Sequence, residues 1–277
     1  MTYKTLLVHL DNSRHCAKRA AFALELAQRF DAHLIGLYAA GNNPFELLYR
    51  PDKAPFAEDQ RQHAVRRDEA KHAFLAAAER AGRSVEWRAP VGPISEVAPL
   101  HARHADLLVL GQPDPDDRAA DAAPYHFAAD MLMASGRPAI VLPRAAVLAH
   151  CGENVLIGWD GSREASRAVT DALPLLIHAR FVTVETVRPG KRHELEATPA
   201  GIDVSAYLAH HGIRASFSTT PCDAGGVGVT LLNRASDLHA DLLVAGAYGH
   251  ARIYERVLGG ATHTMLETMT VPVLMSH

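Results

Sequence analysis

Thr5-Leu6-Leu7-Val8-His9-Leu10-Asp11, near the start of the chain, is echoed past its middle by Asn154-Val155-Leu156-Ile157-Gly158-Trp159-Asp160. Each is a short apolar run that ends in Asp and is followed, after one residue, by Ser13 or Ser162. A second echo pairs Ala105-Asp106-Leu107-Leu108-Val109-Leu110-Gly111 with Ala240-Asp241-Leu242-Leu243-Val244-Ala245-Gly246. A third pairs Pro138-Ala139-Ile140-Val141-Leu142 with Pro272-Val273-Leu274-Met275. The order of the echoes is kept, so the chain holds two copies of one domain. The offset shrinks between the first echo and the second, which places extra residues in the first copy. The stretch from Gly41 to Asp59, with Pro44, Pro51 and Pro55, is the natural place for them. The expected domains are residues 1–146 and 152–277, joined near Ala145 to Glu153.

Within each copy the apolar runs are nearly continuous, as strands buried on both faces require. Segments with helical spacing lie between them. Ala20, Phe22, Ala23, Leu26, Ala27 and Phe30 recur at such intervals in the first copy, and Ala165, Ala168, Val169, Ala172, Leu173 and Leu176 in the second, where Pro174 predicts a kink. Ser13 and Ser162 sit where helix N-caps belong. In each copy five strands alternate with four helices, which argues for an α/β fold with a parallel sheet covered on both sides. Such sheets bind ligands beyond the carboxyl ends of their strands. The loops after Leu10, Trp159, Leu110 and Ala245 are therefore the places to look for a site.

Composition narrows the function classes. The chain has 277 residues, 48% of them apolar and 21% charged, which excludes wholesale disorder. Lys and Arg number 28 against 31 for Asp and Glu, a net charge of -3 that gives no general reason to bind nucleic acid or anionic lipid. No apolar run approaches the length of a membrane span, and the opening segment is too short for a signal peptide. Cys16, Cys151 and Cys222 form no close pair, so a reducing, cytoplasmic setting is expected.

The loop after the fourth strand of the second copy reads from Gly246-Ala247-Tyr248-Gly249-His250 to Leu258-Gly259-Gly260-Ala261-Thr262. Its glycine spacing, G-x2-G-x9-G, follows a buried strand and precedes the last helix. Glycines let a backbone approach a phosphate, and the amides opening a helix point at such an anion with the helix dipole behind them. Gly259 and Gly260 are expected to hold phosphates, with Thr262 adding a hydroxyl. Gly246 and Gly249 are expected to let a ribose and the first phosphate pass, and Asp160 to accept hydrogen bonds from ribose or base. His250 and Arg252 could meet phosphates or remain solvated.

The tandem layout, the strand-ending Asp160 and the Gly246–Thr262 loop resemble a two-domain universal stress protein, with the second copy the nearer match. The resemblance implies two Rossmann-like domains of the adenine nucleotide alpha hydrolase-like kind, each a five-stranded parallel sheet of order 3-2-1-4-5. It implies that ATP, ADP or AMP, with or without Mg2+, binds where the glycine motif is kept. Asp160 would contact the adenosine and a backbone group of Val187 the adenine, while Gly246, Gly249, Gly259, Gly260, Ala261 and Thr262 would line ribose and phosphates. The family pattern carries Ser or Thr directly after its third glycine, where this chain has Gly260. It further implies an intramolecular pseudo-dimer, with a protein client and a further homodimer as open possibilities.

The first copy departs further. After Gly111 it reads Gln112-Pro113-Asp114-Pro115-Asp116-Asp117, in which prolines lack amide donors and carboxylates repel a triphosphate. Asp11 is kept but the cradle is not, so the second copy alone is expected to bind nucleotide. The leading function is therefore a regulatory, stress-response nucleotide-binding protein. A nucleotide-free interaction scaffold and a slow ATPase are the alternatives; no Walker lysine or general base supports catalysis, and no catalytic residue is assigned. Gly225-Gly226-Val227-Gly228 lacks the Lys-Ser or Lys-Thr of a Walker loop and reads as a turn. His101 with His104, and the adjacent His210 and His211, lack partners at metal-ligand spacing, so no metal site is expected. Cys16 reads as a small buried side chain.

Overall fold

The computed structural model describes residues 2–40, 54–117, 123–145, 151–188, 204–249 and 260–277. It divides into two compact units, Thr2–Arg137 and Pro138–His277.

In the first unit, strands β1 (Thr5–Leu10), β2 (His33–Tyr38), β3 (Val85–Arg88) and β4 (Leu107–Gly111) alternate with helices α1 (Cys16–Phe30), α2 (Ala54–Arg80), α3 (Ile94–Ala102) and α4 (Phe127–Ser135). The strands are parallel and lie in the order β3-β2-β1-β4, with Leu7 between Ile35 and Leu108. Leu6, Leu7 and Val8 are wholly buried, as are Leu107 to Leu110, because helices cover both faces of the central strands. Each such side chain contributes about 1.5–3 kcal/mol of burial free energy. α1 turns Ala20, Phe22, Ala23, Leu26, Ala27 and Phe30 inward, the set that its spacing predicts.

The second unit holds β5 (Ala139–Leu142), β6 (Asn154–Gly158), α5 (Arg163–Leu176), β7 (Phe181–Arg188), α6 (Val204–His210), β8 (Ser216–Pro221), α7 (Gly226–Asp237), β9 (Leu242–Gly246), α8 (Gly260–Thr268) and β10 (Val273–Ser276). The five strands of the second copy run parallel in the order β8-β7-β6-β9-β10, which is 3-2-1-4-5 within that copy. β5, the fifth strand of the first copy by sequence, belongs to this unit and lies antiparallel to β10, with Ile140 opposite Leu274. The outer strand β8 carries polar residues and ends in Pro221, as an edge with one unpaired side tolerates.

The two expected caps behave differently. Ser162 caps α5, its Oγ accepting the Ala165 amide at 3.1 Å. Ser13 does not cap α1, whose N-cap is His15. The helix begins only at Cys16, and the Ser13 hydroxyl donates to Asp11 Oδ1 at 2.6 Å, a charge-assisted bond to a buried carboxylate. Pro174 lies inside α5, in its last turn.

Candidate functional site

A cavity of about 590 Å³ opens at the carboxyl ends of β6, β7 and β9. That size is within the usual range for a small-molecule pocket. β6 leads into it through Trp159 and Asp160, and Glu164 and Ala165 of α5 lie behind. β7 contributes Glu185 and Val187 on one side, and β9 contributes Gly246, Tyr248 and Gly249 on the other. Gly260, Ala261 and Thr262 open α8 at the same end. Gly225 to Gly228, at the start of α7, close the remaining wall.

The structure thus brings Asp160, Val187, Gly246, Gly249, Gly260, Ala261 and Thr262 around one cavity. Gly259 lies outside the described residues, as do His250 and Arg252. Asp160 stands exposed at the mouth, where its Oδ1 accepts the Ser162 amide at 2.9 Å. Val187 is two residues beyond the last pairing of β7 with β6, which joins Gly158 to Glu185. The carbonyl of Glu185 faces β6 and accepts the Trp159 amide at 2.9 Å. Alternate residues of a strand turn their polar groups to the same edge, so the amide and carbonyl of Val187 face the open end of β6. A flat heterocycle laid there would meet one donor and one acceptor.

The opposite end is built from close backbone approaches. A Cβ at Gly246 would come within 2.6 Å of the Ala165 nitrogen, so the start of α5 itself forbids a side chain there. A Cβ at Gly228 would come within 2.7 Å of the Ala261 carbonyl, so this glycine lets α7 and α8 cross beside the cavity. Tyr248 holds a left-handed backbone, φ 59°, and its amide donates to Thr262 Oγ1 at 3.1 Å. Thr262, buried, thereby ties the turn after β9 to the first turn of α8. The opening amides of α8 have no intrahelical acceptor, as at any helix start, and carry the positive end of the helix dipole. A Cβ at Gly260 would meet nothing within 4 Å.

Charge is distributed unevenly around this space. Glu164, buried at the first turn of α5, places its carboxylate against Gly249 and pairs with the exposed Arg163. Burial pushes its pKa upward, but the hydrogen bond and charge of Arg163, with a backbone hydrogen bond at Glu164 and the nearby His277, together hold it below the usual value. Glu185 is fully buried on β7. Its Oε2 accepts from Ser218 Oγ at 2.6 Å and from Arg234 Nε at 3.1 Å. Among the described residues, no group of three or more His, Cys, Asp or Glu is arranged to hold a metal ion.

In the first unit the matching region is shut by its own side chains. Arg19, 4% exposed, sends Nη2 to Asp11 Oδ1 at 2.7 Å and Nε to the His9 carbonyl at 2.6 Å. Its guanidinium lies so close to Gly111 that an added Cβ there would overlap it. Burial works against ionisation of Asp11, and Arg19, together with His9 and the Ser13 hydrogen bond, overcomes it and holds the carboxyl well below its usual range. Beyond Gly111, Asp114 is taken by Arg14 at 2.6 Å and His15 at 2.9 Å. What remains is a cavity of about 250 Å³ walled partly by Pro113, Pro115 and Asp117.

Three features of this geometry escape a reading by local pattern. Arg19 looks like one more polar position on an amphipathic helix, although its place one turn after the cap, across from Gly111, marks where it can reach. Gly225 to Gly228 form a wall of the cavity rather than only a turn. Glu185 is a single charge within the apolar strand Phe181-Val182-Thr183-Val184-Glu185-Thr186-Val187, and that break in pattern is the signal that could have found it.

Fold and cleft together define a tandem, doubly wound α/β protein with an open pocket at the carboxyl ends of its second sheet. A model of the Universal stress protein family matches residues 2–119. The match falls on the first copy, whereas the glycine loop had pointed to the second as the nearer one. A universal stress protein from Archaeoglobus fulgidus DSM 4304 superposes with a TM-score of 0.73 at 15% identity, over 98% of this chain and 97% of that one. A functionally unknown protein from Pseudomonas aeruginosa PAO1 gives a TM-score of 0.58 at 15% identity, over 99% and 92%. At such identities the likeness is one of fold. A search of curated proteins finds no match. Residues 2–119 thus match the universal stress protein family, and the chain as a whole shares the fold of a solved universal stress protein of tandem length.

Proposed function

We propose that the second copy binds an adenine nucleotide, ATP, ADP or AMP, in the cavity between β7 and α8, and acts as a regulatory protein of the stress response. The observation that carries this reading is the spacing of the cavity's two ends. The backbone of Val187 on β7 lies two strand positions away from Gly246 at the end of β9, with β6 between, which is roughly 10 Å at strand spacing, and the opening residues of α8 line the cavity on the β9 side. A base against β7 would leave its ribose over Asp160 and its phosphates at Gly246, Gly249 and the start of α8. Gly260, Ala261 and Thr262 would hold those phosphates through amides, and Gly259 by its place in the motif. The first copy does not bind nucleotide in this reading, since Arg19 occupies Asp11 and prolines and aspartates follow Gly111. Occupancy bridges the turn after β9 and the start of α8, and that change alters a surface offered to a protein client. No described helix is long and apolar enough to cross a membrane. The cysteines, which form no close pair, suit a reducing compartment, and we place the protein in the cytoplasm.

Equilibrium titration of protein freed of retained ligand tests the reading. Saturable binding of ATP by wild type, lost in Gly260→Asp, is expected, because a carboxylate set among the α8 amides repels phosphate without steric cost. Absence of binding below about a millimolar, where the free energy is only roughly 4 kcal/mol, overturns it. Native mass spectrometry of the purified protein separates this from the scaffold reading, in which no nucleotide is retained.

A further inference from the structure

Glu185 is the one fully buried carboxylate that reaches the cavity from the β7 side. Its environment is half complete. Oε2 receives two donors, Ser218 and Arg234, while Oε1, equally buried, has no hydrogen-bond partner among the described residues. An unmatched carboxylate oxygen is costly inside a protein, on the order of 1–3 kcal/mol or more. A merely structural ion pair with Arg234 would be served as well by a carboxylate with both oxygens satisfied.

The position of this oxygen gives it a use. Residues two apart on a strand share a face, so the Glu185 side chain lies on the same face as that of Val187, one pleat deeper. Both line the end of the cavity farthest from the α8 amides, where the flat part of a nucleotide would rest. Glu185 lines the cavity, and with Oε2 held by its two donors, Oε1 is the oxygen left for a ligand. A carboxylate oxygen there accepts from an N–H and repels a carbonyl.

We propose that Glu185 selects the base, its Oε1 accepting a hydrogen bond from the exocyclic amine of a 6-aminopurine and disfavouring a 6-oxopurine. This rests on the nucleotide reading above and deepens it from a phosphate-binding cleft to a base-selective one. Arg234 and Ser218 act as positioning residues. By occupying Oε2 they fix which oxygen faces the ligand.

The polarity of this contact can be inverted with one isosteric change. In Glu185→Gln the amide oxygen turns to the two donors, Ser218 and Arg234, because the amide nitrogen cannot accept from them. The NH2 group then takes the place of Oε1 and presents a donor where an acceptor stood. ATP and inosine triphosphate differ at that edge of the base, 6-amino against 6-oxo, and share ribose and phosphates. Titration of both with wild type, Glu185→Gln and Glu185→Leu reads the contact directly, with thermal melting to confirm that each variant is folded. Wild type is expected to favour ATP by about tenfold or more, as a hydrogen bond to a charged group implies. Glu185→Gln brings the ratio to one or reverses it, and Glu185→Leu removes the preference. An unchanged ratio in the folded variants overturns the role of Glu185 and leaves nucleotide binding standing. Failure of wild type to bind either triphosphate overturns both. If Glu185→Gln melts too low to titrate, Ser218→Ala gives the second measurement. With Oε2 left to Arg234 alone the carboxyl is held less firmly, and the ATP preference is expected to weaken several-fold, while an unchanged preference overturns the proposal.

Discussion

Gly260→Ser restores a hydroxyl at the start of α8 where the family pattern carries one. Nothing lies within 4 Å of a Cβ at this position, and its backbone needs no glycine, so the new side chain is accommodated without displacement. Replacing Gly by Ser in a helix gains about 0.5 kcal/mol from reduced backbone entropy, so a small rise in thermal stability is expected. A hydroxyl beside phosphate adds one hydrogen bond to a charged group, worth about 1.5–3 kcal/mol, or roughly ten- to a hundredfold in affinity. The gain should be confined to ligands with phosphates. Calorimetric titration of wild type and Gly260→Ser with ATP, and with adenosine as the phosphate-free control, measures both. The expected result is tighter ATP and unchanged adenosine, with the excess shrinking at high salt. Equal gains for both ligands, or none for ATP in a folded variant, would refute the placement of phosphate at the α8 amides.

Other expectations concern stability. Arg19→Met leaves Asp11 buried without its partner and is expected to cost about 3–5 kcal/mol in urea unfolding, whereas Arg19→Met with Asp11→Asn costs clearly less than the two single changes added. A single-variant cost below about 1 kcal/mol would contradict the plug that Arg19 forms. His9 is wholly buried between the Ala39 carbonyl, 2.7 Å away, and the ring of Phe127, and burial lowers its pKa to about 4. The unfolded chain takes up that proton near pH 6.5 and the folded chain only near 4, so stability is full above 6.5 and falls as pH drops through this window. Between pH 7 and pH 5 the loss from this group is about 2 kcal/mol, and His9→Gln should flatten the pH dependence of the urea midpoint by that amount. Ser162→Ala removes the α5 cap and is expected to cost about 1 kcal/mol, while Ser13→Ala, which caps nothing, tests a different bond, to Asp11.

The architecture was legible in the chain because it is written locally and then repeated. Apolar runs such as Leu6-Leu7-Val8 and Val155-Leu156-Ile157 can only be central strands, and their recurrence in order implies two copies of one sheet. The glycine spacing after β9 and the Asp at the end of β6 marked one edge of the cavity for the same reason, since each sits at a fixed point in a strand–helix unit. What folding alone decides is which distant side chains meet. Arg19 reaches Asp11 and Gly111 only when α1 packs across β1 and β4, and that contact makes the two copies unequal beyond their glycines. Glu185, Ser218 and Arg234 come from two neighbouring strands and a helix, and no spacing rule joins them. Hydrophobic periodicity encodes the face a residue turns inward, and carries no term for the partner that it finds there.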